Sequence, residues 1–283
     1  MTHVMACIDG SRATLAVCDY AAWAALKMAA PLTFLHVLDR DSDSNNSNLS
    51  GSIGLGAQEA LLEQLASLDE QRSRLALQQG KLMLAGAVER AIEAGVDAPL
   101  TRQRHGDLLS TLTELSDDIR LLVIGKQGEE GDQVGRHLGS HVERVIRTLQ
   151  RPVLITQEDY KVPQRVMLAF DGSATARRAV ELVAASPLLR DLSCHVVMVG
   201  IDSSEQRAQL EWAKQSLQAA GHEAVSAMLS GDVETTLENY QTEQQIDLLV
   251  MGAYGHSRIR QFFVGSTTNN MIIKATVPVL VLR

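Results

Sequence analysis

Toward the carboxyl end of the chain, Gly252-Ala253-Tyr254-Gly255 is followed by nine residues and then by Gly265-Ser266-Thr267-Thr268. Glycine at a strand end lets backbone amides approach an anion with no side chain between. Gly265, Ser266 and Thr267 open a helical pattern, whose unpaired N–H groups and positive dipole end attract phosphate. The hydroxyls of Ser266 and Thr267 are further donors, and Arg258 and Arg260 bring positive charge to the intervening loop. The chemistry these residues suit is phosphate binding. On these residues alone a plainer reading stands beside it, since strand-end glycines also make turns and Ser-Thr before a helix also caps it.

A phosphate loop needs a rigid strand beneath it, and the chain supplies one twice. Met5-Ala6-Cys7-Ile8-Asp9-Gly10-Ser11 returns 162 residues later as Met167-Leu168-Ala169-Phe170-Asp171-Gly172-Ser173. His105-Gly106-Asp107 is echoed by Ser230-Gly231-Asp232, and Leu121-Leu122-Val123-Ile124-Gly125 by Leu248-Leu249-Val250-Met251-Gly252. Gly139-Ser140 recurs as Gly265-Ser266, and Arg151-Pro152-Val153-Leu154-Ile155 as Val277-Pro278-Val279-Leu280-Val281. Five matched blocks in one order indicate duplication. The copies meet near residues 157–163, which divides the chain into domains 1–157 and 163–283.

Within each copy short apolar runs alternate with helical patterns. Strands are expected at 3–8, 32–38, 98–103, 120–125 and 152–156, and again at 165–170, 194–200, 223–229, 247–252 and 278–282. Residues 12–30 and 58–94 read as helices, with apolar positions at threes and fours. Alternation of this kind predicts βαβ units and a parallel sheet covered on both faces. The continuous apolar runs 121–124 and 248–251 suit central strands. Each copy therefore reads as a five-stranded doubly wound α/β domain. The first is longer, by a polar loop at 41–56 and a helix at about 57–95, read either as a surface insertion or as a flap over the first crevice.

Composition narrows the function. A formal charge of −8 argues against a general nucleic-acid binder, because neutralising phosphates needs clustered cations. No apolar run approaches the roughly 20 residues of a membrane span. Met1-Thr2-His3-Val4 runs straight into a strand, and three cysteines (Cys7, Cys18, Cys194) lack metal-ligand spacing. The expectation is a cytoplasmic, water-soluble protein without a disulfide framework or metal site.

The segment Gly-x2-Gly-x9-Gly-Ser, between an apolar strand and a helix leading to Val-Pro-Val-Leu-Val, resembles the nucleotide-binding signature of the universal stress protein family. The Asp-Gly-Ser turn in both copies is similar to that family's first turn, and the whole chain resembles its tandem members. The resemblance implies a Rossmann-like sheet of strand order 3-2-1-4-5 in each copy. It also implies that fifth strands pair, here between the two copies of one chain as an intrachain pseudo-dimer. Carried onto the second copy, it implies an ATP site, with Mg2+ possible at the phosphates. Asp171 then lies beside the adenosine and the Val199 backbone meets the adenine. Gly252, Gly255, Gly265, Ser266 and Thr267 hold the phosphates.

The first copy departs from this pattern. Gly125-Lys126-Gln127-Gly128 is followed by ten residues, among them Glu129, Glu130 and Asp132, and His141 replaces the second hydroxyl. Lys126, Arg136 and His137 are possible compensating cations. Residues 1–160 hold 15 basic against 22 acidic side chains, residues 161–283 hold 11 against 12, so the second copy is the easier host for a polyanion. ATP is therefore expected in the second domain.

Other residues invite plainer readings. His137 and His141 have i,i+4 spacing but straddle a turn. Ser11 and Ser173 read as helix caps, Cys7 and Cys18 as inert core thiols, Met198, Met251, Trp23 and Trp212 as packing. The leading function is an ATP-binding stress-response sensor or regulator, with little or no hydrolysis, unknown protein partners and a possible homodimer. The alternatives are an adenylating or nucleotide-cleaving enzyme on the same fold, and an interaction scaffold without nucleotide. No Gly-x4-Gly-Lys-Ser/Thr loop is present.

Overall fold

The computed structural model describes residues 2–38, 55–126, 140–252 and 266–283. Residues 41–54 of the polar loop expected at 41–56, residues 127–139 after Lys126 in the first copy and residues 253–265 of the second lie outside them, while residues 55 and 56 begin a helix.

In the first half β1 (His3–Cys7), α1 (Thr14–Met28), β2 (Leu32–Leu38), α2 (Leu55–Glu93) and β3 (Leu100–His105) come first. They are followed by α3 (Leu108–Glu114), β4 (Ile119–Gly125), α4 (Ser140–Thr148) and β5 (Val153–Thr156). The second half repeats them as β6 (Arg165–Ala169), α5 (Ala174–Ala185), β7 (Ser193–Val199), α6 (Ser204–Ala219) and β8 (Ala224–Leu229). It closes with α7 (Val233–Glu243), β9 (Leu248–Gly252), α8 (Ser266–Lys274) and β10 (Val279–Leu282). The expected strands all form, displaced by one or two residues at their ends; the third moves most, because Leu100–His105 pairs in register with β2.

The ten strands make one sheet of order β3-β2-β1-β4-β5-β10-β9-β6-β7-β8. Each half is thus parallel with order 3-2-1-4-5, as the family resemblance implied. The halves join where β5 and β10 run antiparallel, Leu154 opposite Leu280. All four residues of each fifth strand are buried.

Strand alternation explains the two cores. Val4, Ala6, Leu121 and Val123 point to one face, where α1, α2, α5 and α6 lie; Met5, Leu122 and Ile124 point to the other, under α3, α4, α7 and α8. Both cores run through both halves. Helix α1 is buried nearly all round, and its alanines (16, 21, 22, 24 and 25) let it sit close against the sheet, α2 and the turn Pro187–Leu189 of the other half.

The segment between β5 and β6 is held at both ends. Tyr20 donates to Lys161 O (3.1 Å) and accepts from Lys161 N (3.3 Å), and the Tyr160 ring meets Tyr20 edge-on at 4.8 Å. Buried Asp247 accepts from the amides of Gln164 (3.0 Å) and Arg165 (3.1 Å) and from Lys161 Nζ at 2.5 Å.

Candidate functional site

The order of strands reverses between β6 and β9, and ligands of open α/β sheets sit outside the carboxyl ends of strands at such a switch. Register brings the candidates to that edge. Ala169 of β6 lies opposite Val197 of β7 and Met251 of β9. Asp171, Val199 and Gly252 each follow within two residues, so three adjacent strands end together.

Asp171 is exposed and shapes the turn that leads into α5. Its Oδ1 accepts the Ser173 amide at 2.9 Å, Gly172 takes φ +75°, and Ser173 Oγ accepts from Ala176 N at 3.1 Å. Ser173 is therefore the cap. Ser11 is not: the matching turn of the first half closes through Asp9 Oδ1 (Ser11 N, 3.1 Å) and Thr14 Oγ1 (Gly10 N, 3.1 Å), and no side chain caps α1. Thr14 N donates to the Ser11 carbonyl rather than to its hydroxyl, at 3.0 Å, and the helix starts from Ala13, which corrects the reading of Ser11.

Val199 ends β7 half-buried. Gly252 ends β9, and a Cβ there would stand 3.1 Å from Thr175 Cγ2 and 3.2 Å from Thr175 O, on the first turn of α5. This glycine thus lets α5 close on the strand end. Gly255 and Gly265 lie outside the described residues, as do Arg258 and Arg260. Ser266 and Thr267 open α8 as backbone.

Three residues at this edge escaped the sequence reading. Gln209 of α6 lies over Gly172, where a Cβ would overlap its Oε1, and Gln206 lies 3.1 Å from the corresponding point at Gly200. Arg177 donates to Gly172 O at 3.4 Å and places its guanidinium 4.7 Å from the Trp212 ring centre. Their i,i+3 spacing on the helix after the second strand is the signal that would have found the glutamines.

In the first half one of the three groups named as compensating is committed elsewhere. Lys126 Nζ donates to Ala275 O at 2.9 Å, at the end of α8 in the other half, and burial lowers its pKa. It lines a cleft of about 730 Å³ between the halves together with Arg12, Thr156, Gln157, Glu238 and Lys274. Arg136 and His137 lie outside the described residues.

Burial disfavours the thiolate at all three cysteines. Burial, with Asp9 adding to it, pushes Cys7 up to about 12. Burial followed by Asp19 does the same for Cys18, and burial followed by Glu223 for Cys194, each to about 12. Met198 and Met251 are core residues; Trp23 is buried and Trp212 partly so, packed beside Phe170. Among the described residues no three His, Cys, Asp or Glu side chains group as a metal site. None of their helices is long and apolar enough to cross a membrane.

Comparison with known proteins accords with this architecture. The universal stress protein family model matches residues 1–157 and 200–283, so Gly252 to Thr267 fall inside it and Asp171 and Val199 between its two segments. A universal stress protein of Synechocystis sp. is 37% identical over 287 residues, covering all of both chains. One of Mycobacterium tuberculosis is 29% identical over 234 residues, 72% of this chain and 77% of that one. A universal stress protein structure from Archaeoglobus fulgidus superposes with a TM-score of 0.73 at 20% identity, covering 99% of this chain and 98% of that one. A structure assigned to the same family from Pseudomonas aeruginosa gives 0.63 at 16%, covering 100% and 93%. Both solved structures share the fold, and the chain belongs to the universal stress protein family as a tandem member, with two copies of the domain in one polypeptide.

Proposed function

We propose that the chain binds an adenine nucleotide, ATP in the first instance, at the carboxyl edge of β6, β7 and β9. The bound nucleotide sets its contacts with protein partners in a cytoplasmic stress response. The reading takes 1–157 and 163–283 as the two domains and assigns the nucleotide to the second. The observation that carries it is the convergence of Asp171, Val199 and Gly252 at the topological switch, directly before the Gly-x2-Gly-x9-Gly-Ser-Thr run that leads into α8.

The groups fit the ligand. The exposed Asp171 carboxylate accepts ribose hydroxyls, and the backbone at Val199 meets the adenine. Gly255, Gly265, Ser266 and Thr267 offer amides and hydroxyls to phosphate, and Mg2+ enters with the phosphates it bridges. One oxygen of Asp171 is already held by the Ser173 amide, which suits the carboxylate to holding a hydroxyl rather than to taking a proton from water. Little or no hydrolysis is expected.

Calorimetric titration of the full chain with ATP tests the reading. Gly265→Val should weaken binding by about 100-fold or more, ~2.7 kcal/mol, while Gly139→Val should leave affinity largely untouched. Wild-type affinity in the Gly265 variant would show the site to be wrong. An equal loss in the Gly139 variant would show that the two halves do not differ.

A further inference from the structure

Helix α2 is longer than its place on the body requires. Its counterpart α6 covers the second half with 16 residues, against 39 in α2. The carboxyl part of α2 is packed: Leu84, Ala87 and Ala91 are buried, and Gly80 sits so close to His36 and Gln103 that a Cβ would overlap both. From residue 66 to 75 every side chain is exposed, with Leu65 half-buried just before them. A helical stretch with no buried face is marginal in water.

An apolar row runs along that stretch and on into the packed part. Leu68, Leu75 and Leu82 stand seven residues apart and are 49%, 66% and 68% exposed. Leu61 continues the spacing in the sequence. Leucines every seventh residue on a helix form the seam of a two-stranded coil.

We propose that the projecting part of α2 is a homodimer element, which pairs with α2 of a second copy as an antiparallel coil. The route by which separate domains of this architecture would join, the fifth strand, is consumed within the chain by β5 and β10. Association of whole chains therefore needs another surface, and α2 offers one.

The seam itself selects a second copy and its direction. With Leu68, Leu75 and Leu82 at the d positions, Leu65, Arg72 and Gln79 occupy the a positions. A parallel pair stacks a on a and sets Arg72 against Arg72. An antiparallel pair sets a against d, so Leu65 meets Leu75 of the second copy, and Arg72 lies over Leu68 with Asp69 beside it. Charge along the helix agrees: Glu59, Glu63, Asp69 and Glu70 precede Arg72, Arg74 and Lys81. Only the antiparallel arrangement lays the acidic end against the basic end. It also leaves the two bodies at opposite ends of the coil. The ion pair between Arg74 and Glu70 (2.7 Å) occupies positions c and f, outside the seam.

Sedimentation of the full chain tests the proposal. Wild type is expected at twice the chain mass, and Leu68→Glu with Leu75→Glu at the chain mass with an unchanged far-UV spectrum and Tm. A wild-type chain that stays monomeric across the concentration range, or a double variant that remains dimeric, overturns the proposal. Direction is read by oxidative crosslinking. Copies carrying Leu65→Cys should link to copies carrying Leu75→Cys, whereas self-linking of Leu65→Cys alone would overturn the antiparallel arrangement.

Discussion

At the scale of single residues, the position most open to a test is Gly252. A valine there would put a side chain where the proposed phosphate must approach. The structure adds that its Cβ would stand 3.1 Å from Thr175 Cγ2 and 3.2 Å from Thr175 O, so the first turn of α5 must give by a few tenths of an ångström to admit it. Overpacking of this kind costs about 1–3 kcal/mol. Gly252→Val is therefore expected to lower Tm as well as nucleotide affinity, and calorimetric melting beside titration reads the two effects separately. Gly265→Val, in the sequence run that leads to α8, is the cleaner probe of the proposed loop. Unchanged stability in the Gly252 variant would mean that the helix yields without cost.

The element that ties the inter-copy segment to the second half is the turn before β9. Burial works against the charge on Asp247, yet Lys161 and the amides of Gln164 and Arg165 outweigh it and hold its pKa below the usual carboxylate range. A depressed carboxylate contributes stability above its unfolded pKa, and that stability is lost as pH falls through the folded value. Stability should therefore drop as pH is lowered below about 4, and Asp247→Ala should remove that part of the drop. Lys161 is largely exposed and screened, so most of the effect belongs to the two amides. Leaving them unpaired costs about 1–3 kcal/mol each at most. Denaturant titration at pH 7 and pH 3 would show it, and an identical pH profile in the variant would contradict the assignment. The same scale explains the echo of Gly106-Asp107 in Gly231-Asp232. Both glycines take positive φ, +125° and +132°, and both aspartates cap the next helix, Asp107 from Ser110 N at 2.8 Å and Asp232 from Thr235 N at 3.1 Å. The repeat preserves turn chemistry.

For the whole molecule, continuity of both cores across the antiparallel seam makes the halves one folding unit. One thermal transition is expected for the full chain; two separated calorimetric peaks would contradict this. A half expressed alone would expose the edge of a wholly buried fifth strand, and size-exclusion chromatography should show it self-associating through that edge.

Much of this was legible in the sequence because period and repetition are local. The strand runs, the twofold plan and the glycine spacing follow from side-chain alternation and from motif order. Three things were settled only in three dimensions. Lys126 is spent on Ala275 O in the other half, Ser11 does not cap α1 while Thr14 Oγ1 closes the preceding turn on Gly10 N, and Gln206, Gln209 and Arg177 reach the crevice from the faces of α6 and α5. The reason is the same in each case: the sequence sets which residues an element carries and which face they share, whereas a partner 149 positions away, or one turn further along a helix, is chosen by how the elements pack.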